Sequence, residues 1–162
     1  MLKVGEPAPP FATTATNGKK VSLEDFRGQT LVLYFFRKAF TRNCTVETRG
    51  FRDNYDDLRA QGAEVVGVST DDWGTQCSFT KSEGVTFPMI ADTDRTISRE
   101  YRVFFRLFPI SHRVTYVIGP DSTVLGVFNH EFQVVRHLDE VLRFVRTVTS
   151  SGPPSSPPFS VR

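Results

Sequence analysis

The chain has 162 residues, of which 39% are hydrophobic, and carries a formal net charge of +2 at pH 7. This length and hydrophobic content predict one globular domain with a substantial core. The small charge and the lack of a basic block argue against nucleic-acid binding, and no apolar run is long enough to cross a membrane. The two cysteines lie far apart, and the first residues lack the apolar segment of a signal peptide. We therefore expect a cytoplasmic protein.

Hydrophobic periodicity and turn residues predict strands that alternate with helices along the first two thirds of the chain. Asn17-Gly18 is typical of a hairpin turn, and Gly62 and Gly84 are placed to end helices. The predicted elements are an extended arm at 1–10, a hairpin at 11–14 and 20–22, a helical turn at 23–26, a buried strand at 31–36, a helix at 43–62, a strand at 63–68, a helix at 71–83, a strand at 89–91 and a helix at 96–101.

The last third of the chain predicts a hairpin and an amphipathic helix. Residues 103–110 form a loop rich in large apolar side chains, which either lines a pocket, covers the core or makes a dimer contact. Strands at 114–118 and 123–128 flank Pro120-Asp121, a strong turn signal. The helix is amphipathic, and its apolar side chains lie on one face: Val134, Leu138, Val141, Leu142 and Val145. Four prolines and several serines after residue 149 predict a disordered tail, so we divide the chain into a domain at 1–149 and a tail at 150–162.

Cys44 is the best candidate for a reactive group. It falls in the first turn of a helix that directly follows the buried strand, where unpaired N–H groups and the helix dipole favour a thiolate. Arg37, Lys38 and Arg42 add positive charge nearby. Such surroundings lower the pKa of a cysteine from about 8.5 into roughly 3.5–7.5. The alternative is that Cys44 is only a small buried apolar residue.

The motif Thr41-x-x-Cys44, behind an apolar strand and followed by Thr45 and Glu47, resembles the peroxidatic loop of peroxiredoxins. The resemblance is greatest to the Q-type, or bacterioferritin-comigratory, branch. It extends from residue 4 to about residue 148 through further motifs: Gly5-x-Pro7-Ala8-Pro9-x-Phe11, Phe51-Arg52-Asp53, Val65-Val66-Gly67-Val68-Ser69, Phe87-Pro88 and Arg113-Val-Thr-Tyr-Val-Ile-Gly-Pro-Asp. It implies an α/β, thioredoxin-like fold, with a central mixed sheet flanked by helices and an N-terminal hairpin extension.

The resemblance also implies roles for individual residues. Cys44 would attack a peroxide and become a sulfenic acid. Thr41 would hydrogen-bond the peroxide, and an ordinary helix cap is a compatible second role. Arg113 would hold the thiolate and stabilise charge on the peroxide oxygens, whereas a solvated charge at a strand edge is the alternative. We expect Glu47 to be supporting structure, because the helix dipole favours a first-turn glutamate in any case.

One residue departs from the family pattern Pro-x-x-x-Thr-x-x-Cys. Arg37 stands where the family has a proline, which shields the thiolate and shapes the loop. An arginine lacks the fixed backbone angle of proline and carries a permanent charge. It would either deepen stabilisation of the thiolate or loosen the pocket and slow catalysis, and the sequence leaves both open.

Cys77 is the candidate resolving cysteine, 33 residues after Cys44. The commonest Q-type pattern places that cysteine five residues after the peroxidatic one, where this chain has Arg49, but some members use the next helix. If Phe79 faces the core, Cys77 points outward; a packed pair with Trp73 is the alternative. A disulfide needs Cα atoms within about 7 Å, so the first turn after Cys44 would have to unwind. We expect low stability there, consistent with Gly50 nearby.

These observations predict a thiol-dependent peroxidase that reduces hydrogen peroxide and organic hydroperoxides. Its site residues would be Cys44, Thr41, Arg113 and Cys77, with thioredoxin or a similar thiol reductant restoring the dithiol. The alternatives are a one-cysteine peroxidase resolved by an external thiol, and a redox sensor or binding module whose turnover Arg37 has blunted. We expect no cofactor and no metal, because His112, His130 and His137 lack metal-ligand spacing. We expect a monomer or weak homodimer.

Overall fold

The structure is a computed structural model that describes residues 1–104, 113–130 and 133–150. Most of the predicted apolar loop and nearly all of the predicted tail lie outside these residues. The described helices and strands follow the predicted order. They are β1 (Ala12–Thr14), β2 (Lys20–Ser22), a 3₁₀ turn (Leu23–Phe26), β3 (Thr30–Phe35), α1 (Arg42–Asp53), α2 (Tyr55–Ala60), β4 (Ala63–Ser69), α3 (Trp73–Ser82), β5 (Met89–Ala91), α4 (Thr96–Glu100), β6 (Val114–Ile118), β7 (Val124–Asn129) and α5 (Val134–Ser150).

A five-stranded sheet in the order β5-β4-β3-β6-β7 forms the centre of the domain. Strand β3 runs parallel to β4 and antiparallel to β6, so the sheet is mixed, as predicted. Strands β1 and β2 form a separate antiparallel pair, which confirms the N-terminal hairpin. All six residues of β3 are buried, which explains why apolar and aromatic residues follow Thr30 without interruption. Among the described helices, none is both long enough and apolar enough to span a bilayer.

Side chains of β3 alternate between two cores, one on each face of the sheet. Leu31, Leu33 and Phe35 pack with the N-terminal segments and the residues around α4. Val32 and Tyr34 point to the opposite face and pack with α1 and α5. This alternation follows from the two-residue period of a strand. Cys44 belongs to the second core, so its site lies between the sheet and the α1 and α5 helices.

The predicted helix at 43–62 is interrupted at Asn54, which separates α1 from α2. The side-chain amide of Asn54 donates to the Gly50 carbonyl over 2.8 Å, and its backbone leaves the helical region, with φ −103° and ψ 5°. Asparagine competes with the helical hydrogen-bond ladder in this way, which is why the single-helix prediction was wrong there. Gly62, with φ 86°, lies just after α2 and confirms the predicted end of the helical segment.

Gly50 has a packing role that the sequence analysis did not predict. A Cβ atom at this position would lie 2.5 Å from Cδ1 and 3.2 Å from Cγ of Leu138 on α5. The glycine therefore allows α1 and α5 to approach each other closely. This close contact explains why a glycine stands at position 50, apart from the low helix stability that the sequence analysis associated with it.

Gly67 on β4 provides a test of the core next to the site. A Cβ atom there would lie 2.6 Å from Sδ of Met89 and 2.8 Å from Cζ and Oη of Tyr34. We expect Gly67→Ala to lower the free energy of unfolding by about 1–3 kcal/mol, because an added methyl group overpacks a filled core. The measurement is urea denaturation followed by circular dichroism.

Gly74→Ala on α3 is the matched control for the Gly67 variant. Its Cβ atom would come no closer than 3.7 Å to another group, Oδ1 of Asp72, and alanine favours a helix by up to about 1 kcal/mol. We expect its free energy of unfolding to equal or exceed that of the wild type. A Gly67→Ala protein as stable as the control would contradict the packing described here.

Candidate active site

The backbone holds Cys44 at the third position of α1, at the end of the loop that leaves the central strand β3. This loop is attached to the end of β4: the Ala39 amide donates to Oδ2 of Asp71 over 2.8 Å, and the Ser69 hydroxyl donates to the same oxygen over 2.7 Å. The Cys44 side chain is fully buried. The sulfur therefore lies in the first helical turn, as predicted, and the loop that leads to this turn is anchored at its middle.

Thr41 is the residue that precedes α1, and its side chain is exposed. Its hydroxyl makes no capping hydrogen bond to the helix; it donates to the Lys38 carbonyl over 2.7 Å. The backbone carbonyl of Thr41 accepts the first helical hydrogen bond from the Thr45 amide over 2.9 Å. The Thr41 side chain therefore does not cap α1. With its proton used in this bond, the hydroxyl oxygen can act as an acceptor at the outer side of the site.

Arg113 lies against the sulfur of Cys44. Its Nη2 donates to Sγ over 3.3 Å, and its Nη1 donates to Oε1 of Glu47 over 2.6 Å. The residue is only 1% exposed, so the alternative of a solvated charge at a strand edge is wrong. Arg113 directly precedes β6, and the first residue of β6 pairs with the last residue of β3. The antiparallel pairing thus brings Arg113 to the end of β3 from which α1 begins.

Cys44, Glu47 and Arg113 form a buried cluster of ionisable side chains. Burial lowers the pKa of Arg113, but the nearby Glu47 and Cys44 together raise it above its ordinary value, so the guanidinium stays charged. Burial raises the pKa of Glu47 to about 7, although Arg113 acts in the opposite direction. A charged N–H donor at hydrogen-bond distance stabilises negative charge on the sulfur. Glu47 lies one turn after Cys44 on the same face of α1 and is the counter-charge of Arg113.

His137 is a member of this site that sequence reasoning missed. It is fully buried on α5, with Nε2 at 3.3 Å from Oε2 of Glu47 and 2.6 Å from Oγ1 of Thr115. Burial is the main reason that its pKa falls to about 3. A signal was available in the sequence, because His137 lies on the apolar face between Val134 and Val141. A histidine in such a stripe needs a buried polar partner.

Cys77 is half-buried on α3, and Phe79 is fully buried, so the two point in different directions as expected. Its Sγ lies 3.9 Å from the carbonyl oxygen of Thr16, while Trp73 is 46% exposed. Both cysteines are free thiols in the structure. The structure brings Arg113 to Cys44 but does not join Cys77 to it.

Helix α3 contacts both the loop before α1 and the second half of α1. The Phe40 ring, in the loop before α1, packs edge-on against Phe79 with ring centroids 5.2 Å apart. Further along α1, Arg49 pairs with Glu83 at the end of α3, and Arg52 donates to the Glu83 carbonyl over 2.7 Å. The second half of α1 is thus tied to α3 by charged groups.

Arg37 lies in the loop directly after β3 and is partly buried. It precedes Thr41 by four residues and belongs to the same short connection between β3 and α1.

The described residues contain no group of three or more histidine, cysteine, aspartate and glutamate side chains that could hold a metal ion. His130 and His137 contact each other, with their Nδ1 atoms 3.3 Å apart. His112 lies outside the described residues.

Comparison with known proteins identifies the family. The AhpC/TSA family pattern matches residues 4–127. The chain is 35% identical over 144 residues to chloroplastic peroxiredoxin Q of Gentiana triflora, spanning 88% of this chain and 66% of that protein. It is 33% identical over 151 residues to peroxiredoxin Bcp of Escherichia coli K12, spanning 90% of this chain and 96% of that protein.

Solved structures agree with these sequence relatives. The crystal structure of peroxidoxin BcpB from Mycobacterium tuberculosis superposes with a TM-score of 0.84 at 28% identity and covers 91% of this chain and 99% of that one. Peroxiredoxin Q from Xanthomonas campestris superposes with a TM-score of 0.79 at 25% identity, covering 86% and 91%. With its thioredoxin-like fold and its buried cysteine and arginine, this chain belongs to the AhpC/TSA family, the thiol peroxidases called peroxiredoxins.

Proposed function

We propose that this protein reduces hydrogen peroxide and organic hydroperoxides, with Cys44 as the nucleophile. The observation that carries the proposal is the contact between Arg113 and the Cys44 sulfur inside a buried site. Glu47 holds the same guanidinium through its other terminal nitrogen. A positive group fixed in this way is already oriented toward the reacting atoms before substrate arrives.

The proposed first step is a displacement at oxygen. The Cys44 thiolate attacks the terminal oxygen of the peroxide, an S–O bond forms as the O–O bond breaks, and the cysteine becomes a sulfenic acid. The departing oxygen leaves as hydroxide or alkoxide and takes up a proton to give water or an alcohol. Arg113 stabilises the charge that moves from sulfur to the departing oxygen. Thr41, whose hydroxyl proton is donated to Lys38, accepts a hydrogen bond from the peroxide O–H.

For the second step we propose that Cys77 attacks the sulfenic acid, forming an intramolecular disulfide and releasing water. The fully buried Cys44 must first leave its place, which requires the first turn of α1 to unwind. The ion pair between Arg49 and Glu83 and the close contact of Gly50 with Leu138 restrain α1 beyond that turn. Unwinding is therefore confined to the residues near Cys44.

Reduction of the proposed disulfide back to two thiols needs two electrons from outside the protein. We propose that thioredoxin, or a similar dithiol reductant, supplies them by exchange with the disulfide. A cytoplasmic location and a monomeric or weakly dimeric state remain predictions.

The resolving role of Cys77 is tested by intact-mass measurement after one equivalent of hydrogen peroxide. We expect the wild type to lose about 2 mass units and all its free thiol, because a disulfide removes two hydrogens. Cys77→Ser should instead gain about 16 mass units, the oxygen of a trapped sulfenic acid. Cys44→Ser is the control and should not change.

Two other outcomes have distinct meanings. An added oxygen in both the wild type and Cys77→Ser would make this a one-cysteine peroxidase resolved by an external thiol. No reaction in either would contradict the peroxidase proposal and leave only a binding module. Rapid oxidation without sustained turnover in the presence of reductant would favour the redox-sensor alternative.

The role of Arg113 is tested with Arg113→Lys, which keeps a positive charge opposite Glu47 but removes the planar pair of donors. We expect the second-order rate constant for oxidation of Cys44 to fall by about 10²–10³-fold, as when one oriented donor is removed from an active site. The measurement is stopped-flow peroxide consumption under single-turnover conditions.

Arg143→Lys is the matched control for the Arg113 variant, because the Arg143 side chain is 74% exposed on α5, where it pairs with Asp139. We expect its rate constant to equal that of the wild type. Equal rate constants for Arg113→Lys and Arg143→Lys, with both proteins folded, would overturn the assigned role of Arg113.

A further inference from the structure

A line of polar side chains leads from the active site to the surface along the inner face of α5. Behind Arg113, Oε2 of Glu47 lies 3.3 Å from Nε2 of His137. Nδ1 of His137 lies 3.3 Å from Nδ1 of His130, and Nε2 of His130 lies 3.4 Å from Oε1 of Glu140. Glu47 and His137 are fully buried, whereas the side chains of His130 and Glu140 are 20% and 36% exposed.

The proposed reaction leaves one atom of this line unexplained. Oε2 of Glu47 is buried without a hydrogen bond, although Oε1 of the same carboxyl is held by Arg113. The ring nitrogen of His137 faces that oxygen, so the charge on Glu47 depends on whether this nitrogen carries a proton. An N–H favours the carboxylate, and a lone pair favours the protonated acid.

Because the Nδ1 atoms of His130 and His137 lie 3.3 Å apart, the protonation of His130 would decide which nitrogen of His137 carries the proton. When His130 is protonated at both nitrogens, its Nε2–H faces Glu140 and its Nδ1–H must find an acceptor in Nδ1 of His137. The proton of the neutral His137 is then on Nε2, toward Glu47 and Thr115. When His130 is neutral with its proton toward Glu140, its Nδ1 becomes an acceptor for an N–H from Nδ1 of His137. The Nε2 atom of His137 then has no proton and presents a lone pair to Glu47.

We propose that His137 and His130 are positioning residues for the Cys44 site, which act by setting the charge of Glu47 and, through it, the orientation of Arg113 toward the sulfur. This rests on the proposed peroxidase function and adds two residues to its site. A carboxylate on Glu47 holds Arg113 in place by an ion pair, and a protonated Glu47 releases that hold. The state of a histidine near the surface is thereby transmitted to the buried thiol.

The other groups around the two rings are compatible with this role. Among the residues that the structure describes, the groups that face the pair are Glu47 from α1, Arg113 and Thr115 from the start of β6, and Glu140 from α5, which is itself paired with Arg136 over 2.7 Å. Burial lowers the pKa of His137 to about 3, with smaller effects from His130 and Arg113, so it works as a neutral ring. The pKa of Glu47, raised to about 7, lies where such a ring can shift its charge.

The decisive experiment measures the protonation of Glu47 directly, so it does not depend on peroxidase activity. Infrared difference spectra across a pH titration report the carboxyl band, with Glu47→Gln as the blank. We expect His137→Leu to raise the midpoint by about one pH unit or more, because the polar ring that faces Oε2 is replaced by an alkyl group. His137→Gln can still donate an N–H and should keep the midpoint near that of the wild type.

His130→Leu tests the outer half of the line, where the partial exposure limits damage to folding. Without His130, Nδ1 of His137 has no acceptor for a proton, so His137 keeps its proton on Nε2, toward Glu47, and the midpoint should fall, in the direction opposite to His137→Leu. Arg143→Gln, on the same helix, is the control and should leave the midpoint unchanged.

The pH profile of Cys44 oxidation should follow the same midpoints. At neutral pH we expect His137→Leu to react about tenfold more slowly than the wild type, and His137→Gln to recover most of the rate. A merely structural role would lower the melting temperature without moving the midpoint of Glu47. An unchanged midpoint in folded His137→Leu would overturn the proposal, whereas a shifted midpoint without peroxide reaction would overturn only the proposed function.

Discussion

The site depends on the buried ion pair between Arg113 and Glu47. Both side chains are withdrawn from water, and an isolated charge in such a place is costly, so each group requires the other. Removing one partner of such a pair typically costs about 3–5 kcal/mol, because the remaining charge stays buried. The pair also gives the guanidinium one orientation, in which its second terminal nitrogen faces the Cys44 sulfur. Stability and reactivity therefore rest on the same contact.

The mixed sheet is what makes this contact geometrically available. The carboxyl end of β3 leads into the helix that carries Cys44, and β6 runs antiparallel beside β3. The residue that enters β6 consequently lies next to the residues that leave β3. A parallel neighbour would bring its own carboxyl end to this place. Arg113 reaches the sulfur because it stands at the beginning of an antiparallel strand.

Stability along α1 is unevenly distributed. Its middle is restrained by the pair of Arg49 with Glu83 and by the close approach of Gly50 to Leu138, whereas Cys44 lies ahead of both restraints. A helix held in this way can open at its first turn while the rest stays docked. This distribution is compatible with the proposed disulfide between the buried Cys44 and Cys77 on α3.

The features that the sequence by itself determined are local ones. The apolar run of β3, the turn residues of both hairpins and the placement of Cys44 in a first helical turn follow from periodicity and backbone preference over a few residues. The family motifs added Arg113 as a candidate. Even the local predictions failed where a side chain competed with the backbone, as Asn54 does between α1 and α2.

Only the tertiary structure decided which distant groups meet. It excluded a solvated Arg113, gave Glu47 the role of counter-charge, placed His137 behind it and showed that Gly50 serves helix packing. These partners come from α1, β6 and α5, which are far apart in the chain. Hydrophobic periodicity tells which face of a helix is buried but not which polar groups that face will meet. That information arises only when the strands pair and the helices dock.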